Sequence, residues 1–461
     1  MTRKLAEVMW PALVANKILN KRLGSRNFVA DYPSYTDPLL GITSDYQLSL
    51  STKSILNDHS DTQKYKVFVS TWNIGGIAPD EGLNIEDLLE TCSKSFDIFV
   101  FGFQEIVPLK ASNVLGSEDS KISTKWNSII REALNKRTHN NCCKDIENDD
   151  HNIEEDLKKN FCHENPGQQC KAPQDFQCII SKQMVGILIS VWVRSDLSPF
   201  IRHPNVSCVG CGIMGCLGNK GSVSVRFMLH ETSFCFVCTH LASGGKEGDE
   251  KHRNSNVAEI FSRTSFPRGS LMELPRKILD HDHVILLGDL NYRISLPEET
   301  TRLLVEKRDW DSLLENDQLK MELESGHMLK GWNEGTIKFA PTYKYFLNSD
   351  EYYGCCYHGK KKAAKKRSPA WCDRVIWFGN GLKQIEYARS ESKLSDHRPV
   401  KALFIAEVKV SSTLKSFPSL FLSERFEQIK NVFEISPAHE FSKESSETYN
   451  ERQSDKNTLT N

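Results

Sequence analysis

The sequence predicts an α/β fold in which β-sheets pack face to face and helices lie on the outside. Apolar residues make up 39% of the 461 residues, which is enough for a sizeable core and excludes wholesale disorder. Segments rich in β-branched and aromatic residues recur along the chain, with helical patterns between some of them. From Met184 to Thr239 the predicted strands follow one another without an obvious helix, which favours antiparallel hairpins over strict βαβ units.

The predicted strands are short apolar segments that end at polar residues. In chain order they cover residues 66–71, 97–103, 184–194, 222–229, 234–239, 284–288, 375–378 and 399–405. Apolar residues at helical spacing predict helices over 256–261 and 310–324. The regular part of the chain therefore extends from residue 66 to residue 408.

Three segments differ from this regular part in composition. Residues 1–65 form an N-terminal extension that contains a predicted amphipathic helix over 10–22, which either packs on the core or contacts anionic lipid. Residues 138–175 are polar and acidic, as expected of a flexible, solvated insertion. Residues 409–461 hold one short amphipathic pattern and then a polar tail that we expect to be disordered.

Charge and cysteine usage narrow the class of protein. Lys and Arg total 59 against 60 Asp and Glu, so the chain has no global basic field for nucleic acid. The N-terminus lacks an apolar signal segment, and no run of 18 apolar residues occurs, so we expect neither secretion nor a transmembrane helix. The 14 cysteines fit free thiols in a reducing cytoplasm. Cys235 and Cys238 lie on one predicted strand with side chains on opposite faces, so they cannot share a metal.

Polar side chains cluster where predicted strands begin or end. A single Asp or Asn after a strand is usually a turn residue. Here five strand ends carry Asn73, Glu105, His240, Asp289 with Asn291, and Asp396 with His397. If these strands share one edge, the side chains converge in one crevice. Such a set can bind a hard divalent cation through oxygen, orient a water and stabilise a charged phosphoryl group.

These motifs carry a family resemblance. Asn73 with the following glycines, and segments 102–105, 239–241, 288–293 and 395–400, resemble the DNase-I-like endonuclease/exonuclease/phosphatase superfamily. Three further segments look like the signature of inositol polyphosphate 5-phosphatases, of the plant type I branch: 217–222 (LGNKGS), 339–345 (FAPTYKY) and 369–374 (PAWCDR). The resemblance covers roughly residues 66–408 and implies a four-layer α/β sandwich, with two facing mixed β-sheets flanked by helices.

The resemblance also implies Mg2+-dependent removal of the 5-phosphate from an inositol ring without a phosphoenzyme. By position, Glu105 resembles the principal metal ligand, with Asn73 and Asp396 close to the metal. The catalytic roles fall on five further residues. Asp289 would orient and deprotonate the attacking water, Asn291 would hold that water or a phosphoryl oxygen, and His240 would donate to another phosphoryl oxygen. His397 would stabilise charge on the phosphoryl group, with its ring oriented by Asp373.

Cationic and phenolic groups around the crevice would bind the other phosphates. By resemblance, Tyr343, Lys344 and Lys365 hold the 4-phosphate, with Arg367 and Arg374 as nearby candidates. Lys220 resembles a residue near the ring and its 1-phosphate. The basic run 360–367 is a solvated loop, a nuclear import signal or a membrane contact. The substrate is either a phosphoinositide lipid headgroup or a soluble inositol polyphosphate, and we expect a monomer.

Two other functions could use the same motifs. A nuclease or phosphodiesterase on the same scaffold could use the same metal, Asp289 and His397. The compact cluster of Tyr343, Lys344 and Lys365 and the net charge of -1 argue against a long nucleic-acid groove. A catalytically dead lipid-binding module would be expected to have lost at least one catalytic residue, and Glu105 and the other catalytic positions are intact.

Overall fold

The computed structural model describes residues 27–31, 60–80, 82–83, 85–89, 96–116, 118–142, 175–268, 274–354 and 367–411. Several predictions made from sequence fall outside those residues. They are the helix over 10–22, most of the acidic insertion, Lys365 with the basic run as far as residue 366, and the segment beyond 411. None of the helices within the described residues is long and apolar enough to cross a membrane.

The strands are β1 (Ser60–Asn73), β2 (Ile98–Gln104), β3 (Phe176–Met184), β4 (Ile187–Arg194), β5 (Ile201–Gly210), β6 (Gly221–Leu229), β7 (Thr232–His240), β8 (His283–Asp289), β9 (Asn333–Glu334), β10 (Asp373–Phe378), β11 (Leu382–Arg389) and β12 (Val400–Ser411). The α-helices are α1 (Glu86–Leu89), α2 (Ala111–Leu115), α3 (Lys121–Cys142), α4 (Asp249–Arg263), α5 (Glu298–Glu306), α6 (Trp310–Leu314) and α7 (Gln318–Ser325).

The strands form two six-stranded sheets, both mixed. The first has the order β11-β12-β1-β2-β4-β3 and the second the order β5-β6-β7-β8-β10-β9. In each sheet two central strands are parallel, β1 with β2 and β7 with β8, and antiparallel hairpins extend the sheet from them. The two-sheet prediction is therefore confirmed, including the hairpins between residues 184 and 239.

Apolar faces of the two sheets meet in one buried core, to which both sheets contribute valine, isoleucine and phenylalanine. Gly102 lies at this contact, because a Cβ placed there would be 2.7 Å from Leu287 Cδ1 and 2.9 Å from Cys238 Sγ of the other sheet. Cys238 faces this core, whereas Cys235 faces the layer beneath α4, as the alternation of a strand requires. Helix α3 covers the outer face of the first sheet, and α4 with α7 cover the second.

Two predicted elements are wrong in their extent. Residues 184–194 are not one strand, because the chain turns at Val185, whose φ is 54°, and pairs β3 with β4. A continuous apolar run hides such a turn, since both strands are buried on both faces. Residues 310–324 form two helices, because Asp317 caps a new helix by accepting a hydrogen bond from the Lys320 N–H.

Candidate active site

The polar strand ends meet at one edge shared by the two sheets. In the register of the first sheet Asn73 pairs with Gln104, which places Glu105 beside the end of β1. In the second sheet Asp289 pairs with His240 on one side and with Asp373 on the other. Parallel pairing brings carboxyl ends of strands together, and β10 runs antiparallel, so its first residue joins them.

Asp289 lies between the two sheets at this edge, and it is 2% exposed. One carboxylate oxygen, Oδ2, accepts from Asn73 Nδ2 at 2.9 Å and lies 3.2 Å from His240 Nε2, and Oδ1 accepts from the Asn291 N–H at 3.0 Å. Burial acts to raise the pKa of Asp289, but the hydrogen bond from His240 and the charges of His397 and Lys220 outweigh it and lower the pKa. Asp289 is therefore an ionised acceptor at neutral pH.

His397 and Asp373 form a buried pair next to Asp289. His397 Nδ1 donates to Asp373 Oδ2 at 2.8 Å, and Thr342 Oγ1 donates to the same oxygen at 2.7 Å. Burial acts to lower the pKa of His397, but Asp373, Asp289 and Asp396 raise it to about 9. The ring is thus a fixed cation at neutral pH, held in orientation by Asp373.

His240 and Lys220 form the opposite wall of the crevice. Lys220 Nζ contacts His240 Nε2, and burial lowers the pKa of both groups. Lys220 immediately precedes β6, and the structure places its side chain at the crevice, as predicted.

Oxygen atoms that could hold a divalent cation lie on the first sheet's side. The Glu105 side chain is 27% exposed and lies 3.7 Å from His240 Nε2. Asn73 Oδ1 accepts from the Gly75 N–H at 2.9 Å. Gly75 has a φ of 66°, which favours glycine, and a Cβ there would lie only 3.1 Å from Asp396 Oδ1. Two carboxylates and an amide oxygen fit the preference of a hard cation for oxygen ligands.

A cluster of cationic and phenolic groups borders the crevice. Lys344 Nζ forms an ion pair with Asp396, and it lies 5.4 Å from the centre of the Tyr343 ring, which in turn lies 4.5 Å from the His397 ring. Arg367 lines an adjoining cleft of about 600 Å³. The structure therefore brings Tyr343 and Lys344 to the crevice and Arg367 to the cleft beside it, whereas Lys365 lies outside the described residues.

Arg374 does not reach the crevice, which corrects the prediction that it binds substrate. It follows Asp373 on β10 and so points to the opposite face, where its guanidinium is fully buried. There it donates to Asp317 at 2.9 Å and to Glu334 at 2.5 Å. Its charge is already neutralised by two carboxylates, so Arg374 stabilises the fold.

Three residues at the site were not predicted, although all of them lie inside quoted motifs. Thr342 fixes Asp373, as described above. Ser395 Oγ donates to the Asn73 carbonyl at 2.6 Å and joins β1 to the segment before β12. Arg293 Nη2 donates to Asn291 Oδ1 at 2.6 Å. The sequence around these residues did not indicate a role at the site, because each of them contacts a partner that only folding brings close.

Facing mixed sheets with a His–carboxylate and carboxylate–amide cluster at one edge define a hydrolase of the endonuclease/exonuclease/phosphatase class. Residues 70–403 match the model of the family described as Endonuclease/Exonuclease/phosphatase family 2. Type IV inositol polyphosphate 5-phosphatase 9 of Arabidopsis thaliana is 63% identical over 422 residues, which cover 91% of this chain and 96% of that protein. The chain therefore belongs to the inositol polyphosphate 5-phosphatase family and is a phosphoric monoester hydrolase of that kind.

Two further comparisons agree. Type I inositol polyphosphate 5-phosphatase 8 of Arabidopsis thaliana is 46% identical, over 87% of each chain, so type I and type IV names both occur among the relatives. The 5-phosphatase domain of SPsynaptojanin, solved in complex with inositol (1,4)-bisphosphate and calcium ion, has a TM-score of 0.61 and 26% identity. That match covers 84% of this chain and 98% of that one. The predicted four-layer sandwich is thereby confirmed.

Proposed function

We propose that this enzyme removes the 5-phosphate from an inositol ring that also carries a 4-phosphate, by Mg2+-assisted in-line attack of water. The substrates are phosphatidylinositol 4,5-bisphosphate and 3,4,5-trisphosphate, or their soluble counterparts, inositol 1,4,5-trisphosphate and 1,3,4,5-tetrakisphosphate. The single observation that carries the proposal is the position of Tyr343 beside the buried His397, with Lys344 paired to Asp396 next to them. A cationic subsite therefore adjoins groups suited to phosphoryl transfer.

Asn73, Glu105 and Asp396 are the residues we assign to the metal, because their oxygens lie on the same wall of the crevice. Mg2+ held by these residues would supply positive charge that stabilises the phosphoryl group during transfer. Asp396 forms an ion pair with Lys344 in this structure. In the substrate complex Lys344 exchanges that carboxylate for the 4-phosphate, and Asp396 is left to face the metal.

Water attack is assigned to Asp289. Its ionised carboxylate accepts a proton of the water as the new P–O bond forms and the bond from phosphorus to the ring oxygen breaks, and the ring oxygen takes up a proton from solvent water to become a hydroxyl. The lowered pKa makes Asp289 better at orienting the water than at retaining its proton. His397, Asn291 and His240 donate to the phosphoryl oxygens, and Asp373 holds the His397 ring in place.

Residues 66–408 are the proposed catalytic domain, with 1–65 and 409–461 as extensions and the acidic segment as an insertion. The two six-stranded sheets fall within that domain, except for the first residues of β1 and the last residues of β12. A cytoplasmic enzyme with peripheral membrane contact fits a lipid substrate, and the near-neutral net charge of -1 argues against nucleic acid. We also propose that the enzyme acts as a monomer.

Substrate comparison with Lys344→Ala tests the proposal. Charge-assisted contacts to the 4-phosphate are each worth about 1.5–3 kcal/mol, so wild type should prefer a 4,5-bisphosphate over a 5-monophosphate by more than about tenfold in kcat/KM. Lys344→Ala should narrow that preference, whereas Lys383→Ala, at an exposed position of β11, should leave it unchanged. Lipid and soluble forms of each substrate are assayed in parallel, with the released phosphate identified by position. Equal rates on the two ligands, or release of the 4-phosphate, would contradict the assignment.

A further inference from the structure

Arg293 lies between the two parts of the site. Its side chain makes two contacts with one residue: Nε donates to the Asn291 carbonyl at 3.1 Å and Nη2 donates to the Asn291 side-chain Oδ1 at 2.6 Å. Asn291 Nδ2 donates to the Leu241 carbonyl at 3.2 Å. Because both ends of the amide have partners, the Asn291 side chain cannot flip without losing two hydrogen bonds.

The same guanidinium supports the phenol of the neighbouring subsite. Arg293 Cζ lies 4.6 Å from the centre of the Tyr343 ring, at cation–π distance. The Arg293 N–H donates to Gln318 Oε1 at 2.9 Å, and Arg253 Nη2 donates to the same oxygen at 2.7 Å. Arg293 is therefore held from its backbone side and contacts Asn291 and Tyr343 with its head group.

The charge of Arg293 has no carboxylate partner. Among the described residues, no Asp or Glu oxygen lies within 4.0 Å of its guanidinium. By contrast, Arg374 contacts two carboxylates, and Arg302 contacts Glu298 at 2.9 Å. Burial acts to lower the pKa of Arg293, but Cys372, Tyr343 and Asp289 outweigh it and raise the pKa, so the groups of the site stabilise this cation although it has no direct ion pair.

We propose that Arg293 is a positioning residue that couples 4-phosphate recognition to phosphoryl transfer. It holds Asn291 Oδ1, so that the second N–H of Asn291 Nδ2 is directed to a phosphoryl oxygen, and it supports Tyr343 of the 4-phosphate subsite from the ring face. Without Arg293 the Asn291 amide is free to flip and to present an oxygen to the phosphoryl group, which repels it. The inference rests on the proposed function.

A double-mutant cycle tests this coupling. Arg293→Met should lower kcat by about tenfold or more on both a 4,5-bisphosphate and a 5-monophosphate inositol lipid, because Asn291 loses its orientation. It should also raise KM for the 4,5-bisphosphate and narrow the preference between the two lipids. In an Asn291→Ala background the same change should lower kcat by less than about threefold, since the group that it positions is gone.

Arg226→Met is the matched control. Arg226 is buried, lies 5.4 Å from the Phe266 ring and donates to the Pro267 and Pro275 carbonyls, so its loss has a similar structural cost away from the crevice. It should lower the melting temperature without changing kcat. Arg293→Lys keeps the charge but loses the two-point contact with Asn291, so its kcat should stay low. If Arg293→Met does not fold, Arg293→Lys replaces it in the double-mutant cycle.

Independent, multiplicative effects of Arg293→Met and Asn291→Ala on kcat, or full recovery of kcat by Arg293→Lys, would overturn the positioning role. Failure of the proposed function looks different. In that case wild type itself would release no 5-phosphate or show no preference for the 4,5-bisphosphate. If wild type releases the 5-phosphate and prefers the 4,5-bisphosphate, but the two substitutions act independently on kcat, only the positioning role of Arg293 is refuted.

Discussion

At the residue scale, the site contains two buried carboxylates whose pKa values are shifted in opposite directions. Asp289 and Asp373 are paired across β8 and β10, and both are almost fully buried. Burial raises the pKa of Asp373, and the charge of Asp289 adds to that effect, whereas His240, His397 and Lys220 lower the pKa of Asp289. The pair therefore separates into one firmly ionised carboxylate, which we propose orients the water, and one carboxylate that orients His397.

Glu105→Gln tests the metal assignment. The change keeps the shape of the side chain but removes a charge from the proposed Mg2+ ligands, so the rate should fall by roughly a hundredfold or more. The rate is measured against Mg2+ concentration, with the exposed Glu132→Gln as a control that should behave as wild type. Near-normal turnover of Glu105→Gln at saturating Mg2+ would refute the assignment.

His281 provides a pH test that is separate from catalysis. It is buried, its Nδ1 donates to the Lys277 carbonyl, and burial lowers its pKa to about 4 from 6.5. The unfolded chain therefore takes up a proton between pH 6.5 and 4 that the folded chain does not, and stability falls as pH falls through that window.

His281→Gln should reduce the acid dependence of the free energy of unfolding over that window by up to about 3 kcal/mol. Urea unfolding at several pH values from 4 to 7 measures it. The exposed His327→Gln is the control and should leave the dependence as in wild type. An unchanged acid dependence in His281→Gln would show that burial of this ring does not contribute.

At the scale of elements, one arginine joins three of them. Arg374 on β10 contacts Asp317, the residue that caps α7, and Glu334 on β9, and all three side chains are buried or nearly so. Tyr387 of β11 also donates to Glu334, at 3.0 Å. This network fastens the short edge strand β9 and the start of α7 to the second sheet.

Arg374→Met should therefore destabilise the fold by about 3–5 kcal/mol, since it leaves two buried carboxylates without a partner. Urea unfolding measures the loss, and Arg268→Met, at an exposed position, should cost almost nothing. At a temperature where the variant is folded, KM should stay close to that of wild type. A raised KM with unchanged stability would instead restore the substrate role predicted from sequence.

At the scale of the whole molecule, both sheets belong to one compact unit that ends at Val410. A segment near the N-terminus closes one edge of the first sheet. Val29 and Ser181 of β3 exchange backbone hydrogen bonds of 2.9 and 2.7 Å. Asp31 accepts from the Cys178 N–H at 2.8 Å and forms an ion pair with Arg131 of α3. The segment thus protects an edge strand that would otherwise expose unpaired backbone groups.

Truncation tests this role. A chain that begins at residue 32 should have a free energy of unfolding about 1.5–3 kcal/mol lower than one that begins at residue 27, through the lost strand pairing and the lost Asp31 contacts. Thermal and urea unfolding of the two chains measure the difference. Equal stability of the two truncated chains would mean that residues 27–31 do not stabilise the sheet.

Much of this molecule follows from local sequence. Alternating or continuous apolar runs predicted the central strands, and polar residues at their ends predicted a crevice, because strand ends of one sheet lie side by side. The meeting of Asn73, Asp289 and His397 could be predicted in this way, whereas their proposed roles come from the family resemblance. Local pattern did not reveal β5 or β11, since an irregular strand and a polar edge strand lack the apolar run that marks a buried one.

Only the tertiary structure decided which charged groups face the crevice. Arg374 and Arg293 stand in similar motifs, yet one is neutralised by Asp317 and Glu334 while the other contacts Asn291 and Tyr343. Asp317 is 57 residues from Arg374 in sequence, so no local pattern reports that contact. The alternation of a strand predicts which face a side chain occupies, but packing between segments distant in sequence determines which partner it contacts there.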